Sequence, residues 1–183
     1  MHILKVDSES LAKKWLLFPL TIYKNDNKFI RPLDADVEEV FDEKKNKFFR
    51  FGVCERWLLE NEQQEIIARI AVFTNKKYVN DFPVGGFGFF ECIDSQEAAN
   101  FILDAAKNWL QERGMEAMDG PINFGERDKW WGLLIDGFEE PLYNMNYNPS
   151  YYKTLFEKYG FQIYFNQICF GMHVDQKLSE RYY

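Results

Sequence analysis

The segment between residues 84 and 124 constrains the fold more than any other part of the chain. The stretch "VGGFGFFECI" at residues 84–93 has the aromatic and β-branched composition of a strand. Apolar residues at helical spacing then predict a helix over residues 95–113, with Gly114 as its stop. The stretch "EAMDGPINF" predicts another strand over residues 117–124. A strand–helix–strand connection is right-handed and joins parallel strands, so we expect these two strands to be parallel neighbours.

The other predicted strands make the sheet mixed. Residues 53–60 and 66–73 are β-favouring runs joined by a short polar link, which predicts an antiparallel pair. The stretch "QIYFNQICFGMHV" at residues 162–174 predicts one last strand. With short helices before the hairpin, this order predicts an α+β fold with a mixed sheet of about six strands flanked by helices. The length suits a single domain over residues 1–183, either complete or part of a longer protein.

Glycines interrupt the predicted central strand. Gly85, Gly86 and Gly88 weaken its β propensity and indicate either a bulge or another group pressed against the backbone. A packed helix and a bound ligand are both open explanations for that close approach.

Composition and charge narrow the range of binding partners and compartments that we expect. The net charge is -7 and the sequence pI is near 5.0, which disfavours nucleic acid as a partner. No apolar run approaches the length of a membrane helix, and three cysteines without a CxxC pair fit a reducing compartment, so we expect a cytoplasmic protein. His2 and His173 have no acidic or cysteine partners nearby in sequence, so we expect no metal site.

The last predicted helix carries the most specific motif. Asn148 and Pro149 have the residue preferences of an N-cap and a first helical position, and Gly160 suits a left-handed stop. Between them the chain reads "NPSYYKTLFEKYGF".

This helix resembles the last helix of the GCN5-related N-acetyltransferase (GNAT) superfamily, whose common pattern is N-x-x-A-x-x-x-Y-E-K-x-G-F. Glu157, Lys158, Gly160 and Phe161 match it. The element order extends the resemblance over residues 10–174, although the motif itself is specific only within the helix. The resemblance implies an acyl-CoA-dependent N-acyltransferase that uses acetyl-CoA or another acyl-CoA. Its acceptor would be a small-molecule or peptide amine.

The resemblance also implies roles for particular residues. Cofactor contacts would come from the end of the central strand, the turn after it and the start of the last helix: Cys92, Ile93, Ser95, Gln96 and Asn148. Glu91 is the candidate base, because acyl transfer needs a group that accepts the amine proton. The alternative for Glu91 is an outward-facing carboxylate on a strand edge. Tyr152 is the candidate acid, since a phenol can donate to a thiolate, and an ordinary amphipathic core tyrosine is the alternative. An acceptor pocket would be lined by Asp128, Trp130 and Trp131, which offer a carboxylate and two indoles.

Two departures from the pattern favour a different function. Phe156 stands where the family usually has a tyrosine, and we predict that it faces the cleft. The turn "ECIDSQEAANF" lacks the family's glycines and basic residue. Instead, Asp94 and Glu97 have the spacing of a capping box and place acidic groups where a diphosphate would bind. We therefore expect weak acetyl-CoA binding or none.

Two hypotheses follow, with the enzyme slightly preferred. The first is an N-acyltransferase with a degenerate cofactor turn, and the second is a catalytically inactive GNAT-like domain that serves ligand binding or protein interaction. Because one final strand is expected where the family has two, a homodimer or a longer chain would complete the sheet.

Overall fold

The computed structural model describes residues 1–78, 81–171 and 175. Its helices and strands follow the order β1 (His2–Lys5), α1 (Glu9–Leu17), α2 (Pro19–Ile22), α3 (Asp34–Val40), a 3₁₀ helix (Lys47–Arg50), β2 (Gly52–Glu60), β3 (Ile66–Asn75), β4 (Val84–Cys92), α4 (Gln96–Gln111), β5 (Ala117–Asp119) and α5 (Tyr152–Tyr159).

The five strands form one mixed sheet in the order β1-β2-β3-β4-β5. The first four are antiparallel neighbours, whereas β4 and β5 are parallel and pair from Val84 opposite Ala117 to Gly86 opposite Asp119. Helix α4 connects these two strands. The predicted α+β fold and the parallel strand–helix–strand unit are confirmed.

The strand count differs from the prediction at both ends of the chain. Strand β1 pairs with β2 from His2 opposite Glu60, a strand that we did not predict because it is only four residues long. The predicted last strand is absent from residues 162–171, where side chains such as Phe170 are exposed, and residues 172–174 lie outside the described part. A strand needs a neighbour to pair its backbone, and none of the described residues provides one here.

Close packing explains the central glycines. A Cβ on Gly85 would lie 2.2 Å from the side chain of Leu110 on α4, and one on Gly88 would lie 2.0 Å from the carbonyl oxygen of Ile122. The glycines therefore admit a helix and a neighbouring backbone, which was one of the two explanations the sequence left open.

Two predicted helix caps were wrong. The side chain of Ser95, not Asp94, caps α4 by accepting from the N–H of Ala98 at 3.3 Å. Helix α5 begins at Tyr152 and not at Asn148, because the Asn148 side chain bonds the backbone of Leu134 instead.

The predicted end of α5 is confirmed, but the prediction for Phe156 was wrong. Gly160 ends the helix with a φ of 113°. Phe156 is only 4% exposed and packs on Phe87 and Phe90 of β4, with ring centroids 5.7 and 4.8 Å away. Tyr152 and Leu155 are buried in the same core, so Phe156 shares the inward stripe of the helix and does not face a cleft.

None of the described helices is long and apolar enough to cross a membrane. Residues 125–146, which connect β5 to α5, contain no regular helix or strand, and we refer to this segment as the insertion.

Candidate functional site

A bulge in β4 decides which side chains face which layer. Gly88 pairs with Ala71 and Glu91 pairs with Arg69, so two residues of β4, Phe89 and Phe90, oppose the single residue between those partners. Phe89 has a φ of 48°, which non-glycine residues rarely adopt. An extra residue shifts the alternation of a strand by one position. Phe90 therefore joins the core under α4, whereas Phe89 and Glu91 face the layer of α1 and α3.

Glu91 lies in a buried hydrogen-bond network. Its Oε2 accepts from the hydroxyl of Tyr23 at 2.9 Å and from that of Tyr152 at 2.8 Å. Its Oε1 lies 3.6 Å from Nη2 of Arg69, which is longer than a good hydrogen bond. Glu91 is only 7% exposed, so it is not the outward-facing carboxylate that a sheet edge would allow.

Arg69 partly balances this buried charge. Its Nη1 donates to the carbonyl oxygen of Trp15 at 2.9 Å, and its guanidinium lies 4.3 Å from the centre of the Trp15 ring. Burial raises the pKa of Glu91, although Arg69, Tyr152 and Tyr23 act in the opposite direction. Burial also raises the pKa of Tyr152 well above its usual value, and Glu91 adds to that effect.

A pocket of about 100 Å³ reaches Glu91 from outside. Aromatic side chains, among them Phe29, Phe89, Trp130 and Tyr147, form part of its walls beside aliphatic, amide and charged residues. Arg69 and Tyr152 lie beside Glu91 at its base. Phe89 and Trp130 pack together with centroids 5.1 Å apart, and Trp130 also has a positive φ, of 42°. Two neighbouring residues in rare backbone conformations therefore line one wall, as is frequent at binding sites.

The structure brings only one of the three predicted acceptor residues to this pocket. Trp130 lines it, whereas Asp128 is exposed and lies outside it. Trp131 packs instead beside Tyr78 and the guanidinium of Arg127.

Cys92, the next residue along β4, has a different environment. Its N–H donates to the Tyr152 hydroxyl at 2.8 Å, and its carbonyl oxygen accepts from the Tyr151 hydroxyl at 2.7 Å. Burial raises the pKa of its thiol to about 12, which makes it a poor nucleophile.

The start of α4 lies next to this region. Ile93 N–H donates to the carbonyl oxygen of Ile67 at 3.0 Å, and Gln96 Nε2 donates to Asn100 and to the carbonyl oxygen of Leu155 at 2.8 and 3.1 Å. The predicted cofactor residues in this stretch therefore bond within the protein.

No protein-family model matches the chain, and no curated protein matches it. Solved structures do match. An aminoglycoside antibiotic 6'-N-acetyltransferase from Acinetobacter baumannii aligns with a TM-score of 0.54 at 13% identity, over 94% of this chain and 98% of that one. An aminoglycoside N-acetyltransferase in complex with CoA aligns with a TM-score of 0.52 at 12% identity, over 94% and 99%. This chain has the GNAT fold.

The GNAT fold does not by itself assign an activity. A transcriptional regulator from Bacillus halodurans aligns with this chain as well as the acetyltransferases do, with a TM-score of 0.54 at 13% identity, over 93% of this chain and 99% of that one. One fold supports many functions, so the residues of the site must decide.

The cofactor of a GNAT acetyltransferase does not fit the described residues as they stand. Both backbone groups of Cys92 are taken by tyrosine hydroxyls. At the start of α4, Ser95 already accepts from an N–H of the first turn, and the neighbouring Asp94 and Glu97 are acidic, which disfavours binding of an anionic diphosphate there.

Sequence reasoning missed two residues of the Glu91 network. Arg69 stands in the otherwise apolar run "IIARIAVF", and a charged residue inside a central strand signals a buried partner. Tyr23 follows α2 and gave no comparable signal, because a tyrosine is common in a core.

Among the described residues, no group of three or more histidine, cysteine, aspartate or glutamate side chains is arranged to hold a metal ion. His2 pairs with Glu60 at 2.9 Å, and His173 lies outside those residues.

Proposed function

We propose that this chain is a GNAT-fold domain that binds a small organic amine beside Glu91 and does not transfer an acyl group from CoA. The observation that supports the proposal is the buried Glu91 carboxylate at the base of a partly aromatic pocket, next to a Cys92 backbone whose N–H and carbonyl oxygen are bonded to Tyr152 and Tyr151.

Glu91 retains capacity to accept from a ligand. The two tyrosine hydroxyls share Oε2, whereas Oε1 has only the long contact to Arg69. An amine N–H can therefore donate to Oε1, and hydrogen bonds to a charged acceptor are among the stronger ones. This part of the ligand would lie at the base of the pocket.

The rest of the ligand would lie against aromatic rings. Phe89 and Trp130 offer apolar surface, and their faces also attract a protonated amine. At the mouth, Ile30 is 53% exposed, so larger amines can extend towards solvent there. We therefore infer an amine with an apolar or aromatic group close to its nitrogen.

Calorimetry with benzylamine and benzyl alcohol tests this proposal. The two ligands match in size and ring, but only benzylamine carries the amino group. We expect benzylamine to bind with a dissociation constant of about 1 mM, as suits a ligand of this size, and benzyl alcohol to bind more weakly. Equal binding of the two would contradict the assigned role of Glu91.

Two carboxamide variants complete this test. Glu91→Gln should weaken benzylamine binding about tenfold, because the charged acceptor is lost. Glu62→Gln changes an exposed carboxylate in the β2–β3 turn and should leave binding unchanged. Circular dichroism of Glu91→Gln establishes whether the variant is folded before the comparison is made.

Acyl-CoA-dependent N-acyl transfer is the second candidate function. The bulge that places Glu91 at the pocket favours it, because a base at that position could accept the amine proton. Incubation with acetyl-CoA and either benzylamine or an aminoglycoside, followed by mass spectrometry, separates the two candidates. An acetylated amine made by the parent, and not by Glu91→Gln, would favour the enzyme.

A further inference from the structure

Strand β4 has a backbone edge beyond the point where β5 stops pairing with it. The β4–β5 register ends at Gly86 opposite Asp119, and one further bond, from Ile122 N–H to the Phe87 carbonyl oxygen at 2.7 Å, follows it. On the opposite edge, Ile93 N–H donates to the carbonyl oxygen of Ile67, the second residue of β3. Successive residues of a strand address opposite edges, so the N–H and carbonyl of Cys92 face the side that β5 has left.

The protein fills this edge with two consecutive tyrosines. The Tyr152 hydroxyl accepts from Cys92 N–H at 2.8 Å, and the Tyr151 hydroxyl donates to the Cys92 carbonyl oxygen at 2.7 Å. Tyr152 is only 1% exposed, and a buried backbone group without a partner is costly. Both polar groups of the Cys92 backbone are thus satisfied from within.

We propose that Tyr151 and Tyr152 occupy the β4 edge in place of an extended, amide-bearing ligand of the pantetheine type. Such a ligand binds a strand edge by pairing its amide groups with free backbone N–H and carbonyl groups. Here those groups are engaged and the tyrosine rings fill the space. The domain therefore binds ligands at the pocket face of β4 and keeps the edge closed.

Tyr152 also connects the Cys92 edge to the pocket, because its hydroxyl bonds groups on both. The same hydroxyl that accepts from Cys92 donates its proton to Glu91 Oε2 at 2.8 Å. Its ring packs against Phe90, with centroids 5.2 Å apart and the planes nearly perpendicular. Movement of Tyr152 away from the edge would therefore break two hydrogen bonds and expose a core ring. This cost keeps the edge closed.

Amide hydrogen exchange measured by NMR tests the closure, since each tyrosine caps a different atom. The readout is the exchange rate of the Cys92 amide divided by that of Ile93, which reports the pairing with β3. In Tyr152→Phe we expect this ratio to rise about tenfold or more, because the Cys92 N–H loses its acceptor. In Tyr151→Phe the ratio should stay at the parent value, because the Tyr151 hydroxyl bonds the Cys92 carbonyl oxygen and not the N–H, and the ring that packs against Tyr152 is retained.

The ratio remains informative if a variant is less stable, because global opening raises both rates together. An unchanged ratio in Tyr152→Phe would overturn the proposal, and so would an equal rise in the two variants.

Pantetheine itself is the second probe, used on the parent chain. Added to about 1 mM, it should leave the amide resonances of Cys92 and Ile93 in place. A saturable shift of the Cys92 amide would mean that the edge is open to such a ligand and would overturn the proposal. Neither experiment uses an amine, so failure here is distinct from failure of amine binding at Glu91.

Discussion

Glu91 and Cys92 are neighbours in sequence and opposites in environment. Glu91 faces a pocket, and its Oε1 has only a long contact to Arg69. The N–H and carbonyl oxygen of Cys92, in contrast, are both bonded to tyrosine hydroxyls. The β4 bulge lies directly before them and directs the Glu91 side chain to the pocket. Under our proposal, one strand keeps the acceptor side of a GNAT-like site while tyrosine side chains fill its cofactor side.

If these roles hold, the acceptor half and the cofactor half of such a site can be separated. The acceptor side depends on a carboxylate and its partners, and the cofactor side depends on free backbone groups and an uncharged helix start. We infer that the side chains of α5 and of the turn before α4 can close the cofactor side while the fold remains.

Removal of Arg69 should have the largest effect on stability, because Arg69 is the cation closest to the buried Glu91 carboxylate. Arg69→Met leaves the Glu91 carboxylate buried without its cation, so the free energy of unfolding should fall by about 3 to 5 kcal/mol. Urea unfolding followed by circular dichroism measures it. The double variant Arg69→Met/Glu91→Leu should recover much of the loss, and a double variant as unstable as the single one would contradict this account.

Phe156→Tyr comes next and tests whether the cofactor side is core. Its new hydroxyl would lie among Phe87, Phe90 and Tyr152, so we expect a loss of about 1 to 3 kcal/mol in the free energy of unfolding. The matched control is Phe161→Tyr, since Phe161 is only partly buried and should change stability little. Equal stability of Phe156→Tyr and the parent would restore the cleft-facing position that the sequence predicts.

The pH dependence of stability gives the smallest effect. Burial holds the pKa of Glu91 above its usual value of 4.5, so the folded state binds this proton more tightly than the unfolded state. The resulting stabilisation is complete below pH 4.5 and is lost as the pH rises through the folded pKa, by about 1.4 kcal/mol for each pH unit that separates the folded and unfolded pKa values. The stability advantage of the parent over Glu91→Gln should therefore shrink from pH 4 to pH 8, and a widening gap would mean that Arg69 outweighs burial.

The sequence predicts local structure well where periodicity and turn chemistry agree. Helix α4, its parallel flanking strands and the stop at Gly160 all follow from such patterns. Sequence also singled out Glu91 and Tyr152, which the structure joins at 2.8 Å, although their chemical roles remain predictions.

The rest depends on long-range geometry that no local pattern contains. The β4 bulge sets the face on which Glu91 lies, and packing against β4 sets the face on which Phe156 lies. The motif around Phe156 contains neither, so the prediction that Phe156 faces a cleft was wrong. Tyr23 meets Glu91 across 68 positions of sequence, and the capping of Cys92 needs a helix that begins 60 residues later. Asn148 has the residue preference of a helix cap, but its side chain bonds Leu134, which lies 14 residues earlier in the chain, and no local pattern indicates this contact.

Calorimetric titration of the parent chain with acetyl-CoA at low salt tests the central claim most directly. Because the Cys92 edge is closed and the start of α4 is acidic, we predict a dissociation constant no tighter than about 100 μM, near -5.5 kcal/mol. Submicromolar binding would contradict the account, since it would mean that the cofactor side of the strand is open after all.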